Sequence, residues 1–203
     1  MWTATRGDAG EPSIYFDARL NTEVAKIFPG QYFVTDRDIV LATVLGSCVA
    51  ACIRDPAAGV GGMNHFLLPQ SVGDMGPASR SARYGTYAME VLINRLLRQG
   101  ARKQTMEAKV FGGGSVIPDL RAAAVGESNA RFIVEYLGKE GIQVAAKDLL
   151  DECARKIYFF PSTGRVMVKK LRQLQNDTVL ARELDYSRQL MLIDLSGKVE
   201  LFK

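Results

Sequence analysis

The sequence predicts a mixed α/β domain in which strands come first and helices then alternate with further strands. Short runs of β-branched and apolar residues between Gly and Pro turns indicate the strands, and two stretches with apolar residues at helical spacing indicate the helices. The chain has 203 residues, of which 47% are apolar and 24% charged. It is therefore long enough to bury a hydrophobic core and has the composition of an ordinary globular protein.

The strand pattern begins after the break at 28–30. Strands are expected at residues 32–34, 38–45, 48–53, 60–68, 108–111, 142–146, 156–160 and 165–169. Helices are predicted over 81–98 and 128–139, because each stretch has one apolar face and is followed by a glycine. Residues 171–188 are predicted to be helical in part, and the turn at 196–198 predicts a terminal hairpin of 190–195 with 199–202.

The chain divides into three predicted segments. These are an N-terminal extension over 1–28, one domain over 29–171 and a C-terminal extension over 172–203. No apolar run reaches the roughly 20 residues that a transmembrane helix needs, so no membrane insertion is expected. The first 14 residues are polar and rich in turn-forming residues, unlike a secretory signal, which makes the cytoplasm the expected location.

Charge and cysteine content exclude several classes of function. The net charge is +4, and lysines and arginines are spread along the chain without a nucleic-acid-binding motif, so no nucleic-acid partner is expected. The three cysteines, Cys48, Cys52 and Cys153, are few and odd in number, which predicts free thiols. Because His65 is the only histidine and no second cysteine pair exists, no metal site is expected.

A cysteine behind a small-residue turn is the strongest chemical signal. In Leu45-Gly46-Ser47-Cys48, the glycine lets the backbone turn sharply at the mouth of a strand, and backbone N–H groups of the turn can face a developing oxyanion. A thiol becomes a nucleophile only beside a base or a positive charge. His65 lies 17 residues after Cys48, and a hairpin turning at 55–59 would let the two side chains face each other across the ladder. His65 could then take the thiol proton and later protonate a leaving amine.

The residues alone leave a second interpretation open, in which both side chains are structural. A cysteine beside a strand is usually a small buried hydrophobe. Cys52 shares strand parity with Cys48 and is predicted to lie in the core, and no chemical role is expected for Cys153. The three glycines at 112–114 lack the Lys-Ser/Thr pair of a phosphate-binding loop, and they indicate close packing of backbone near the site.

Five sequence blocks, in order along the chain, point to one family. They are LGSCVAAC at 45–52, GMNHFLLP at 62–69, KVFGGG at 109–114, RKIYFFP at 155–161 and TGRV at 163–166. Together they resemble the CheD chemoreceptor glutamine deamidases, and the resemblance extends from about residue 29 to residue 171.

The resemblance implies a fold, a reaction and a site. The fold would be a compact α/β sandwich with a mixed, largely antiparallel sheet, related to toxin-type cysteine deamidases. The reaction would convert glutamine side chains in the cytoplasmic domains of methyl-accepting chemotaxis receptors to glutamate through a cysteine thioester, with neither cofactor nor metal. The family's nucleophile falls on Cys48 and its general base and acid on His65.

The resemblance leaves the third member of the site and the partners open. Some family members have a threonine six residues before the cysteine, which here is Ala42, and Thr43 is the nearest hydroxyl. In a regular strand this one-residue shift reverses the face, so Thr43 could orient His65 only if a bulge restores its direction. An alternative function is a non-catalytic adaptor that binds a CheC-type phosphatase and receptors, although an adaptor has no need of Cys48 and His65.

Overall fold

The computed structural model describes residues 12–68, 80–115 and 120–171 and seven helical residues between 181 and 190. These described residues contain ten strands and two long helices. The strands are β1 (Ser13–Asp17), β2 (Thr22–Lys26), β3 (Tyr32–Thr35), β4 (Val40–Leu45), β5 (Val49–Asp55), β6 (Val60–Asn64), β7 (Glu107–Gly112), β8 (Gln143–Leu149), β9 (Ala154–Phe159) and β10 (Val166–Leu171). The helices are α1 (Arg80–Arg98) and α2 (Leu120–Lys139), and a short 3-10 helix spans Lys103–Thr105.

The strands form two five-stranded sheets. The first has the order β1-β2-β4-β9-β10, and the second has the order β3-β6-β5-β7-β8. Only the β2–β4 and β7–β8 pairs are parallel among the described strands. The predicted α/β sandwich with mixed, largely antiparallel sheets is confirmed.

One hydrophobic core joins the two sheets and both helices. Leu41 and Leu45 of the first sheet, Ile53 of the second, Leu92 of α1 and Ile133 of α2 are all fully or almost fully buried in the same cluster. The helices pack on the second sheet, α1 mainly on β6 and β3 and α2 mainly on β8, β5 and β7. The first sheet therefore packs against the face of the second sheet that the helices leave uncovered.

Strand β4 is buried on both faces, which explains its continuous apolar run. Leu41 and Leu45 face the main core, whereas Val40 and Ala42 belong to a smaller cluster on the other side of the sheet. Since side chains alternate along a strand, Thr43 points to the same side as Leu41 and Leu45, into the space between the sheets.

Most predicted elements are present, but some bounds differ and two strands were not predicted. The strand predicted over 60–68 ends at Asn64, because only an isolated bridge between Val49 and Phe66 continues the pairing. Helix α2 begins at Leu120 instead of residue 128, because alanine-rich sequence continues the helix upstream and Gly126 is tolerated inside it. Strands β1 and β2 lie within the predicted N-terminal extension, and Val24 and Ala25 of β2 are fully buried. The boundaries at 28 and 171 remain predictions.

The C-terminal part was predicted to be partly helical and then a hairpin. The described residues between 181 and 190 are helical, in agreement with the first prediction. Leu190 belongs to this helix rather than to a strand, and the rest of the predicted hairpin lies outside the described residues. Within the part of the chain that the structure describes, no helix is long and apolar enough to span a membrane.

Candidate active site

Cys48 lies in the turn that connects the two sheets. Gly46 and Ser47 follow β4 of the first sheet, and Val49 opens β5 of the second, so the cysteine sits at the entrance between them. Its side chain is fully buried. The sequence prediction that a small-residue turn delivers Cys48 at the mouth of an apolar strand agrees with this placement.

The three glycines at 112–114 hold this turn through backbone contacts. Gly113 N–H donates to the Cys48 carbonyl at 2.8 Å, and Gly114 N–H donates to the Gly46 carbonyl at 2.8 Å. Gly112 has a φ of +110°, and a Cβ atom placed on it would overlap the Cys48 carbonyl oxygen. The expected close packing of backbone near the site is therefore observed, and Gly112 is required both for its conformation and for its lack of a side chain.

Two buried polar side chains that sequence reasoning missed support the same turn. Asn129 of α2 is completely buried, donates from Nδ2 to the Ser47 carbonyl at 2.8 Å and accepts the Leu68 N–H at 2.8 Å. Arg155 of β9 is also completely buried and binds the carbonyls of Asp148 and Leu150 and the Asp148 carboxylate. That loop in turn contacts the glycine loop, since Leu150 N–H donates to the Gly112 carbonyl at 2.8 Å.

His65 directly follows β6, and its backbone is fixed from both sides. Its N–H donates to the Gln31 carbonyl at 3.0 Å, and its carbonyl accepts the Gly30 N–H at 2.8 Å. The β5–β6 register pairs Cys52 with Met63 and Val49 with Phe66. His65 therefore lies diagonal to Cys48, whereas the hairpin spacing had predicted that the two face each other directly. A ring nitrogen of His65 and the Cys48 Sγ nevertheless lie within 4.8 Å of each other.

Thr43 contacts the His65 ring from the first sheet. The Thr43 Oγ1 lies 2.8 Å from His65 Nδ1 and also donates to the Ile27 carbonyl at 2.7 Å. A hydroxyl has one proton, and because this one is directed at Ile27, the Thr43 oxygen accepts a hydrogen bond from Nδ1–H. The ring is then the tautomer with a free lone pair on Nε2, the nitrogen that makes no hydrogen bond among the described residues.

No bulge is needed to direct Thr43 toward His65. Strand β4 pairs without interruption with β9 from Leu41 to Leu45, and Thr43 lies on its inner face. Ala42 is on the outer face, in the smaller cluster with Val40. The expected register conflict is absent because Gly46 and Ser47 leave the strand before Cys48, so strand parity does not extend from Thr43 to the cysteine.

Burial keeps both members of the pair neutral. Desolvation lowers the pKa of His65 to about 4, although the nearby Glu183 carboxylate acts in the opposite direction. Burial raises the pKa of the Cys48 thiol well above its usual range, and Glu183 raises it further by its charge and by a hydrogen bond. The resting pair is therefore a neutral thiol beside a neutral imidazole.

Glu183, from the C-terminal helical segment, lies against the Cys48 turn and is only 6% exposed. One carboxylate oxygen accepts the Gly46 N–H at 2.8 Å and the Cys48 N–H at 3.2 Å. The other accepts the Ser47 N–H at 3.0 Å and the Ser47 Oγ–H at 2.7 Å. The expected anion-stabilising role of a turn at Gly46 and Ser47 thus has a geometric basis, since its N–H groups converge on a negative charge.

Cys48, His65 and Glu183 form the group that could hold a metal ion among the described residues, with ligand atoms within 4.8 Å. This set fits a metal poorly. The Glu183 carboxylate already accepts four hydrogen bonds from the turn, and a metal ion would have to displace some of these donors.

The other two cysteines lie away from the site's chemistry. Cys52 is 1% exposed in the main core, where burial raises the pKa of its thiol, as its predicted core position requires. Cys153 is partly exposed and is a free thiol. All three cysteines are free, as predicted.

Of the residues that the sequence did not reveal, Asn129 and Glu183 had no usable signal. Each lies in a polar stretch of helix that looks solvated in sequence. Arg155 had a weak sequence signal. It is the second residue of β9 and shares a strand face with Ile157 and Phe159, where a charged residue is unusual.

The glycine loop can be tested by Gly112→Ala with Gly100→Ala as a matched control. Both positions have a positive φ, +110° and +92°, but a Cβ on Gly100 meets nothing within 4 Å. We expect Gly100→Ala to lower the free energy of unfolding by about 1–3 kcal/mol through backbone strain alone. Gly112→Ala should cost clearly more and should change the reactivity of Cys48 toward a thiol reagent. Equal losses in urea titrations would contradict the close-packing role.

The buried neutral His65 predicts a specific dependence of stability on pH. Its pKa in the folded protein is about 4, against an ordinary value of 6.5, so the unfolded chain binds more protons between these values. The free energy of unfolding of the wild type should therefore fall as the pH falls from about 6.5 to about 4, and that of His65→Gln should fall less over the same range. Since no other histidine exists in the chain, the difference between the two unfolding free energies should shrink over this range. A pH-independent difference would show that His65 is not buried in its neutral form.

The chain is similar to known proteins along almost its whole length. The family model described as CheD chemotactic sensory transduction matches residues 67–170. A protein of Methylobacillus flagellatus named as a probable chemoreceptor glutamine deamidase CheD is 55% identical over 94% of this chain and 95% of its own length. A protein of Janthinobacterium sp. with the same name is 54% identical over 94% of both chains.

Among solved structures, the Bacillus licheniformis hypothetical protein YfiH is similar over 60% of this chain and 51% of its own, with 16% identity and a TM-score of 0.38, which supports no argument about function. The match to the family model and the relatives with more than 50% identity do identify the family. The chain belongs to the CheD family.

Proposed function

We propose that this protein is a glutamine deamidase of chemoreceptors, with Cys48 as nucleophile, His65 as general base and acid, and Thr43 as the residue that positions His65. The observation that carries the proposal is the chain of contacts from the Ile27 carbonyl through Thr43 and His65 to Cys48. The relatives named as probable chemoreceptor glutamine deamidases support the substrate.

The first step forms a thioester. The free lone pair of His65 Nε2 takes the Cys48 proton as the sulfur attacks the side-chain carbonyl carbon of a glutamine, which creates a tetrahedral oxyanion and an imidazolium. The transient imidazolium is held by the Nδ1–H···Oγ1 bond to Thr43. His65 then donates its proton to the amide nitrogen, and ammonia leaves.

The N–H groups of Gly46, Ser47 and Cys48 supply the electrostatic part of catalysis. They all donate to the carboxylate of Glu183, the N–H groups of Gly46 and Cys48 to one oxygen and that of Ser47 to the other. Donors already fixed in this way stabilise a developing oxyanion without reorganisation, and each such donor is typically worth about 3–4 kcal/mol. The glycine loop, Asn129 and Arg155 keep these donors in place.

The second step regenerates the enzyme. His65 removes a proton from water, the hydroxide attacks the thioester carbonyl, and the Cys48 sulfur leaves and recovers its proton, so that glutamate is released. A cavity of about 30 Å³ beside the ring, lined by residues 26–29 and by Thr43, Val44, His65 and Glu183, has room for a water molecule.

The expected substrates are the cytoplasmic domains of methyl-accepting chemotaxis receptors, and the expected location of the enzyme is the cytoplasm. Binding to a CheC-type phosphatase stays a prediction from the family. The adaptor alternative has no observation in its favour, because it would not need a thiol and an imidazole paired beside converging N–H groups.

The proposal is tested by incubating the protein with a receptor cytoplasmic fragment and following individual glutamines by mass spectrometry. We expect conversion to glutamate by the wild type and none by Cys48→Ala. Cys52→Ala is the matched control, because it removes a thiol that is equally buried but lies in the core, and it should retain activity. Equal glutamate formation by wild type and Cys48→Ala would refute the enzymatic function.

The positioning role of Thr43 is tested by Thr43→Val and Thr43→Ser. Valine keeps the shape of the side chain but cannot accept the Nδ1–H bond, so kcat should fall by at least about tenfold, or roughly 1.4 kcal/mol. Serine keeps the hydroxyl and should restore most of the rate. If the valine and serine variants turn over the receptor fragment equally fast, the hydroxyl does not orient His65.

A further inference from the structure

The described residues between 181 and 190 form a helix with one buried face. Glu183 and Leu190 are buried and Tyr186 is half-buried, whereas Ala181, Asp185, Arg188 and Gln189 are exposed. Positions 183, 186 and 190 are spaced so that they share one side of a helix. This segment is therefore docked on the rest of the protein through three side chains.

Two of these side chains anchor the segment. Leu190 is 2% exposed and belongs to the main hydrophobic core. The Tyr186 hydroxyl contacts the Tyr84 hydroxyl of α1, and its ring lies against Gly30, where an added Cβ would approach it to 2.7 Å. Gly30 precedes the residue whose carbonyl holds the His65 backbone, so the anchor lies next to the site.

The third side chain, Glu183, enters the site itself. Its carboxylate receives three backbone N–H groups and one hydroxyl, all from Gly46, Ser47 and Cys48. These donors satisfy a buried negative charge that would otherwise be costly. They are the same donors that the proposed reaction needs for its oxyanion.

We propose that the helical segment carrying Glu183, Tyr186 and Leu190 is an internal product mimic, which closes the active site by placing the Glu183 side chain where the glutamate formed from a substrate glutamine would lie. This inference rests on the proposed deamidase function. Deamidation of a glutamine yields a glutamate side chain beside the Cys48 sulfur, and Glu183 places the same chemical group within 4.8 Å of that sulfur.

Occupation by Glu183 and binding of a substrate exclude each other. The space left beside His65 is about 30 Å³, which suits a water molecule but not a glutamine side chain. The three N–H groups and the Ser47 hydroxyl all donate to this carboxylate, so none of these donors is open to a substrate carbonyl. In addition, Glu183 favours the unreactive thiol form of Cys48.

The direct test converts the mimic into a substrate. In Glu183→Gln the side-chain amide lies beside Cys48, and attack by the thiol, loss of ammonia and hydrolysis by water would restore the glutamate. We expect mass spectrometry of the intact variant to show conversion of the introduced amide to a carboxylate at a rate independent of protein concentration. The double variant Glu183→Gln/Cys48→Ala should keep the amide, and the exposed Gln189 on the same segment should stay unchanged in both.

A kinetic test measures the closure. When its own segment blocks the site, the protein binds substrate only in the fraction of molecules whose site is open, so Glu183→Ala should lower KM for a receptor fragment. Asp185→Ala, an exposed acidic residue two positions away, is the matched control and should not change KM. Tyr186→Phe, which removes the contact to Tyr84, should lower KM in the same direction as Glu183→Ala.

The outcomes separate this inference from the proposed function. If the introduced amide persists in Glu183→Gln, and Glu183→Ala raises KM or lowers kcat while the wild type still deamidates the receptor fragment, Glu183 is a structural support of the turn and the mimic is refuted. If the wild type does not deamidate the fragment and the introduced amide is also stable, the deamidase function itself is refuted. Conversion of that amide in a manner that depends on Cys48 supports both.

Discussion

The three N–H groups of the Gly46–Cys48 turn all donate to one carboxylate, two of them to the same oxygen, and the rest of the site depends on this arrangement. A turn of this kind would relax if its carbonyls had no partners. Gly113 and Gly114 bind two of them from one side, and Asn129 binds the Ser47 carbonyl from α2. The backbone donors thus face the reacting centre because the acceptors of the same turn are all occupied elsewhere.

The two sheets have separate tasks in the chemistry. The second sheet presents Cys48 and His65 at neighbouring strand ends, whereas the first contributes Thr43, whose hydroxyl fixes the ring's tautomer. Because the Ile27 carbonyl takes the only Thr43 proton, a single backbone acceptor directly after β2 determines which nitrogen of His65 keeps a free lone pair. Burial keeps the Cys48 thiol and the His65 ring neutral. In the proposed reaction, negative charge develops only on the substrate carbonyl.

Glu183 gives the resting site a charge that catalysis would create only briefly. Stabilisation of an anion by fixed donors does not discriminate between a transient oxyanion and a permanent carboxylate. A product-like side chain carried by the protein itself can therefore occupy an efficient oxyanion site, and it would need to leave before a substrate glutamine enters. Leu190 and Tyr186 provide the apolar contacts that would oppose this departure.

The sequence by itself predicted the mixed α/β class, the order of most strands and the free thiols from local patterns, and the pair Cys48 and His65 through its resemblance to a known family. It could not assign Thr43, since strand parity to Cys48 is lost once the chain leaves β4 at Gly46, and only the packing of two sheets shows which face each residue takes. Only the tertiary structure showed the contacts of Asn129, Arg155 and Glu183, which lie 81 or more positions after Cys48 in the sequence. Asn129 and Glu183 look like ordinary polar surface residues there. Their roles depend on burial, and burial of a polar side chain is decided by what the rest of the fold places around it.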